Sequence, residues 1–321
     1  MYNDYLNFIE DTFTKCFSQK GYIEERPVEV TSRIDKTVDF VGSKISPLKH
    51  YVLNDNISNK GHFLIQDCFR TQGLKKLKTI DPSRFGTCFR CMGTLTRPDI
   101  EKTVFDTFDY LTNKDYLGIM PENLRIRINS EDKDLLMAVS QIDKNIIKET
   151  NTHNAHYRHK YGLDDENIFG RDFNIAVRRR NTDEFVNAGA IVLMEKGDKP
   201  LAIDMGIGNL TLAMCNFGKD NTIAASRMAD IIVIDSIEKQ RFADVLIALS
   251  LLQKEGVHNF SKHKKEHSKN FKYKMKKYND AVTYWKNKLG ICNEQILQYM
   301  KMYIDLEFKA NNYKSEVTWE K

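Results

Sequence analysis

Apolar and polar residues alternate along the chain with two different periods. Tyr5, Phe8, Ile9, Thr12, Phe13, Cys16 and Phe17 recur at helical spacing and predict a helix over residues 2–20, stopped at Gly21. Residues 22–65 are mixed, with strand-like pieces and turns at Asn54-Asp55-Asn56 and Lys60-Gly61. HFLIQDCFR, residues 62–70, reads as a strand. The basic loop LKKLKTIDPSR follows, and a return strand begins near Thr87. A hairpin with so long a connection suggests a functional loop. Residues 98–111 predict a helix with Pro98 in its first turn. Residues 124–128 alternate as a strand, and 132–150 read as helix. Strands are predicted at 173–178, 184–195 and 200–205. From 209 to 317 the pattern is helical, with breaks at Gly256 and Gly290. Most strands are not separated by helices, so an antiparallel sheet is expected over a doubly wound parallel one. The fold class is therefore α+β, an antiparallel sheet flanked by helices and followed by an all-helical C-terminal region.

Composition adds bounds. The chain has 321 residues, 41% hydrophobic and 29% charged, enough for one large domain or two modest ones. No apolar run of about 18 residues spans a membrane, and MYNDYLNFIEDTFTKCF lacks the layout of a signal peptide. Six scattered cysteines then suggest reduced thiols, and a cytoplasmic location is expected. The net charge of +5 is mild. It is uneven, though: eleven lysines stand against three acids between Lys254 and Lys288.

Four stretches carry candidate chemistry. QDCFRTQG (66–73), the basic loop and RFGTCFRCMG (84–93) form the first. LAIDMGIGNLTLAM (201–214) is the second, a glycine-rich strand-to-helix turn. FVNAGAIVLME (185–195) is the third, and KYGLDDENIFGRDFNIAVRRR (160–180) the fourth. Taken singly, each also reads as ordinary structure: a surface hairpin, a tight turn, a core strand and a packing tyrosine.

Taken in order, over roughly residues 1–215, they resemble the catalytic domain of the alanyl-tRNA synthetases, class II enzymes that activate an amino acid with ATP and Mg2+. The helical remainder sits where that family has its tRNA-recognising helices, so the resemblance implies domains at 1–215 and 216–321. It implies that Arg70 holds the α-phosphate, as a planar guanidinium suits. Arg84 and Gly208 fall with it on the ATP side. Asp204 would take the substrate's α-ammonium group, and Asn187 would contact the amino acid. Gly206 would let it approach the backbone, and Tyr161 would stand near it. Gly189 stands where the family has a valine against the alanine methyl, which predicts a pocket widened for a larger side chain or another acyl group. An amino acid is the expected substrate, with tRNA, a small amine or a carrier protein as acceptor and no membrane partner.

Several positions depart from the family. Thr211 stands where an arginine grips the γ-phosphate, Arg90 replaces a glutamate, and Lys75, Lys76 and Lys78 replace an acid and a histidine in the loop. A lost charge-assisted phosphate contact costs about 1.5–3 kcal/mol. A synthetase-like protein without catalysis, sensing an amino acid or nucleotide, is therefore the alternative reading. The resemblance leaves no room for an editing domain in 321 residues.

Three further stretches carry residue types that could bind a ligand. His153, His156 and His159 recur every third residue, a spacing that a metal or a plain loop would satisfy. Cys88 and Cys91 have CxxC spacing without a second pair, which favours packing over zinc. In the lysine-rich tract, Phe260, Phe271, Tyr273, Tyr278, Tyr284 and Trp285 alternate with lysines. This pattern fits RNA binding, and it fits equally the buried stripe of an amphipathic helix.

Overall fold

The computed structural model describes residues 1–81, 83–151, 158–160, 167–257 and 269–311. Its centre is a nine-stranded sheet: β1 (Ile23–Glu24), β2 (His62–Phe69), β3 (Cys88–Thr96), β4 (Leu124–Asn129), β5 (Ile147–Asn151), β6 (Arg158–Lys160), β7 (Ile168–Arg178), β8 (Phe185–Lys196) and β9 (Lys199–Gly208). The order is β1-β2-β3-β9-β8-β7-β4-β5, with β6 paired to β7. β1 with β2 and β4 with β5 run parallel, and every other pair is antiparallel. The expected α+β class and mostly antiparallel sheet are what the chain adopts.

The helices divide by face. α1 (Tyr2–Gln19), α3 (Ile100–Thr112), α4 (Lys133–Ser140) and α5 (Asn209–Asn216) pack on one side. There Met92, Ile203, Met205 and Ile207 of the sheet meet Phe13, Phe17, Tyr110 and Leu212. α2 (Ile45–Leu53) covers part of the opposite face, where Leu48 and Val52 meet Leu64, Leu95 and Ala202. Because strand side chains alternate, even positions of β9 and odd positions of β3 face the α2 side. α6 (Ile237–Lys254), α7 (Lys269–Leu289) and α8 (Asn293–Asn311) form the helical region. Its core includes Phe40, Phe69, Leu77 and Cys88 from the sheet half, so apolar packing is continuous between the two.

Several elements differ from the pattern's expectation. Residues 132–150 are not one helix: α4 ends at Ser140, and Ile147–Asn151 is a strand paired with β4. Five residues cannot register a period against the helical matches before them, so pairing with β4 decides. α2 was hidden by Pro47, which sits in its first turn where the missing N–H costs nothing. Pro98 precedes the α3 cap. Asp99 is the N-cap, its carboxylate accepting from Lys102 N. Between α5 and α6 the chain runs in short 3-10 turns rather than continuous helix. The apolar stripe of α1 is rotated, with Leu6 buried and Phe8 exposed. In α7, Phe271, Met275, Tyr278, Ala281 and Trp285 are buried while Tyr273 and Tyr284 stay exposed, so its aromatics follow the amphipathic reading.

Among the described residues no helix is long and apolar enough to cross a membrane. His153 and His156 lie outside the described residues, and Cys88 and Cys91 are buried free thiols.

Candidate functional site

A cavity of about 490 Å³ opens on the α2 side of the sheet. Four separate stretches line it. Arg70 directly follows β2, β3 supplies Phe89 and Cys91, β8 supplies Asn187 and Gly189, and β9 supplies Asp204, Gly206 and Gly208. Asn174, Ser43, Thr211 and Thr222 complete its polar wall. Six of the eight residues singled out in the sequence therefore meet in one place. Arg84 does not join them: its guanidinium pairs with Glu184 at 2.6 Å, off the cavity wall. Tyr161 lies outside the described residues.

Arg70 is exposed and aimed. Its Nε donates to Gly42 O at 3.0 Å, and its guanidinium lies 4.7 Å from the centre of the Phe89 ring. It makes no ion pair among the described residues, so its charge remains available to an anion. The stacked, hydrogen-bonded pose lowers the entropy lost when that anion binds.

Asp204 is mostly buried and forms an ion pair with Lys44, whose ammonium also donates to Thr94 O. Asn187 accepts from Arg127 at 2.6 Å, leaving its amide hydrogens as donors toward the cavity. Cys91 faces the same space. A hydrogen bond from Cys68 draws its thiol below the ordinary range, against burial and with help from Lys44.

Gly189 plays a different part from the one expected. A Cβ there would overlap Gly206 O and sit 2.8 Å from Ile207 Cγ1. The space vacated is filled by β9, not by cavity, so the widened pocket inferred from this glycine is not found. The glycine instead lets β8 and β9 approach closely beside a bulge at Ala188.

Arg90 also changes meaning. It lies at an even position of β3 and points away from the cavity, toward α1. There it pairs with Glu10, with Asp67 at 3.0 Å and with Glu307. Arg227 joins Glu10 and Glu307, and Lys254 joins Asp67. Burial alone would raise the Asp67 and Glu10 carboxyls, but Lys254 and Arg90 at the one and Arg90 and Arg227 at the other hold both low. Arg90 is thus the centre of a buried charge network and not a change in nucleotide handling.

The loop between β2 and β3 is fastened to the helical region. Trp285 Nε1 donates to Leu77 O at 2.6 Å, Arg241 to Asp81 O at 2.6 Å and Gln240 to Ser83 O at 2.6 Å. Asp244 accepts from Thr87 N at 2.6 Å. Lys76 pairs with Asp81 at 3.5 Å, and Lys78 lies over Tyr284.

A nucleotide fits what is present: an available guanidinium, an aromatic face and a glycine-lined floor. A protein-held Mg2+ does not. Asp204 is the only carboxylate on the cavity wall among the described residues, and Lys44 holds it. Among the described residues no cluster of three metal-binding side chains exists.

Sequence reasoning missed Lys44, Arg127 and Asn174. Lone charged or amide residues in unpatterned stretches give no signal until strands bring them together.

No protein-family model matches the chain, and no curated protein matches it significantly. Among solved structures it is similar to histidyl-tRNA synthetase from S. aureus, at 13% identity and a TM-score of 0.43, over 86% of this chain and 82% of that one. It is similar to aspartyl-tRNA synthetase from Entamoeba histolytica, at 10% identity and 0.41, over 70% of this chain and 58% of that one. It is also similar to asparaginyl-tRNA synthetase from Pyrococcus horikoshii complexed with asparaginyl-adenylate, at 10% and 0.38, over 70% and 68%. None of these three is an alanyl enzyme, and at such values the likeness assigns no residue a role.

Proposed function

We propose that the chain is an acyl-activating protein of the class II synthetase type. It would join a carboxylic acid, an amino acid in the family it resembles, to AMP from ATP. One observation supports this most. Arg70, Asn187, Asp204, Gly206 and Gly208, distant in sequence and picked out by their motifs, converge on one cavity. In the proposed step a carboxylate oxygen of the acid attacks the α-phosphorus of ATP. The bond to the bridging oxygen breaks, and pyrophosphate leaves with that electron pair. Arg70 would stabilise the charge on the α-phosphate, where fixed donors are most effective. Asn187 would orient the acid through its amide hydrogens. The acyl group would then pass to tRNA or to another nucleophile, a choice that fold cannot name.

Acid-dependent exchange of labelled pyrophosphate into ATP tests the proposal, with a panel of amino acids and their counterparts lacking the amino group. Exchange with any member supports it, and none across the panel removes it.

A second reading, binding without chemistry, is favoured by Thr211. It presents a hydroxyl to the cavity where the resemblance expects a γ-phosphate arginine. That reading predicts a nucleotide-dependent rise in melting temperature with no exchange.

A further inference from the structure

Asp204 already has a cation. Lys44, the residue before α2, sends its side chain under the sheet to the carboxylate. The lysine side chain is 1% exposed and that of Asp204 is 11% exposed, so the ammonium lies behind the carboxylate and the carboxylate faces the cavity. The slot is built for it. At Gly93 an added Cβ would stand 2.6 Å from Lys44 Cε and overlap Met205 O, so the missing side chain is the room through which the lysine passes. Thr94 O takes a second ammonium hydrogen. Leaving this position would strip a cation of both partners inside the core, which is costly.

The charge balance follows. Among the described residues of the cavity wall, Arg70 and Asp204 carry the formal charges. With Lys44 neutralising Asp204, the site as a whole is cationic by Arg70 alone. An α-ammonium group brought to Asp204 would share one carboxylate with Lys44, in a space where water screens poorly. An acid without that group meets a neutral ion pair and the amide donors of Asn187, and its single negative charge is welcomed.

We infer that the acid taken by this site lacks a free α-amino group: a monoanionic carboxylic acid, not a zwitterionic amino acid. The inference rests on the acyl-adenylate reading above and narrows its substrate class.

Calorimetric titration with three probes tests it: AMP, the alanyl sulfamoyl adenosine and its propionyl counterpart, identical except for the amino group. On the native protein the propionyl probe binds at least about tenfold tighter than the alanyl probe, a difference of about 1.4 kcal/mol. In Lys44→Met the preference reverses, because Lys44 no longer competes with the probe's ammonium group for the Asp204 carboxylate. Equal binding of the two probes, or tighter binding of the alanyl probe, to the native protein overturns the inference and leaves the acyl-adenylate reading standing. AMP binding without either acyl probe overturns it too. No binding of any of the three removes the acyl-adenylate reading itself. The native ratio decides whether or not Lys44→Met folds.

Discussion

Trp285 on α7 donates its indole N–H to the carbonyl of Leu77, 2.6 Å away, and thereby ties the hairpin loop beside the cavity to the helical region. Trp285 is fully buried, so the carbonyl has no water to replace it. Trp285→Phe keeps the aromatic bulk and removes the donor. It is expected to cost about 1–3 kcal/mol in urea denaturation, the price of an unsatisfied buried acceptor.

Arg70 sits at the other end of the same loop, and its exposed side chain is held by Gly42 O and the Phe89 ring. Arg70→Ala should change stability by no more than about 0.5 kcal/mol, as for most exposed positions. It should abolish the rise in melting temperature that AMP produces in the native protein. An unchanged AMP response would remove Arg70 from the nucleotide site.

Arg90 predicts the opposite pattern. Its removal leaves Glu10, Asp67 and Glu307 with less positive charge in a buried setting. Arg90→Met should destabilise by about 3–5 kcal/mol, while AMP affinity measured under folded conditions stays as in the native protein.

Gly189→Val separates packing from specificity. The valine would have to push β9 away, and overpacking of this kind costs about 1–3 kcal/mol. A lower melting temperature is expected. A valine variant that melts like the native protein and shifts acid preference would restore the view of Gly189 as a pocket wall.

Asp244 gives a pH signature. It is buried on α6 and accepts from Thr87 N and Thr87 Oγ1. Burial, only partly offset by these bonds, pushes its carboxyl up to about 6 from an ordinary value of 3.8. The folded state therefore holds this proton more tightly than the unfolded chain. The resulting stability is complete below pH 3.8 and is lost as pH rises through about 6, on the order of 2–3 kcal/mol. Asp244→Asn keeps an acceptor for Thr87 N and cannot ionise. Its melting temperature should gain on that of the native protein between pH 4 and 7, and parallel curves would refute the assignment.

The sequence was most legible where a glycine pattern met a change of period. β9 running into α5, and β2 with its basic loop and β3, could be placed from residues 201–214 and 62–93 alone. It was least legible where meaning depends on which face a strand presents. Arg90 looks like part of the hairpin's chemistry in one dimension, and the two-residue period of β3 turns it to the far side. Lys44 carries no local signal, since an isolated lysine before a short helix normally points to water. Only the closeness of Gly93 and Asp204 in space shows that it does not.

The Arg90 network has a consequence in time. Its members Arg90 and Glu307 are 217 residues apart, as are Glu10 and Arg227. At about 5–20 residues per second of synthesis, Arg90 waits roughly 10–40 s on the ribosome for its last carboxylate. Until then Glu10 and Asp67 share the single cation Arg90, and Arg227, Lys254 and Glu307 are still to come, so the charges balance and the network closes only after α8 emerges.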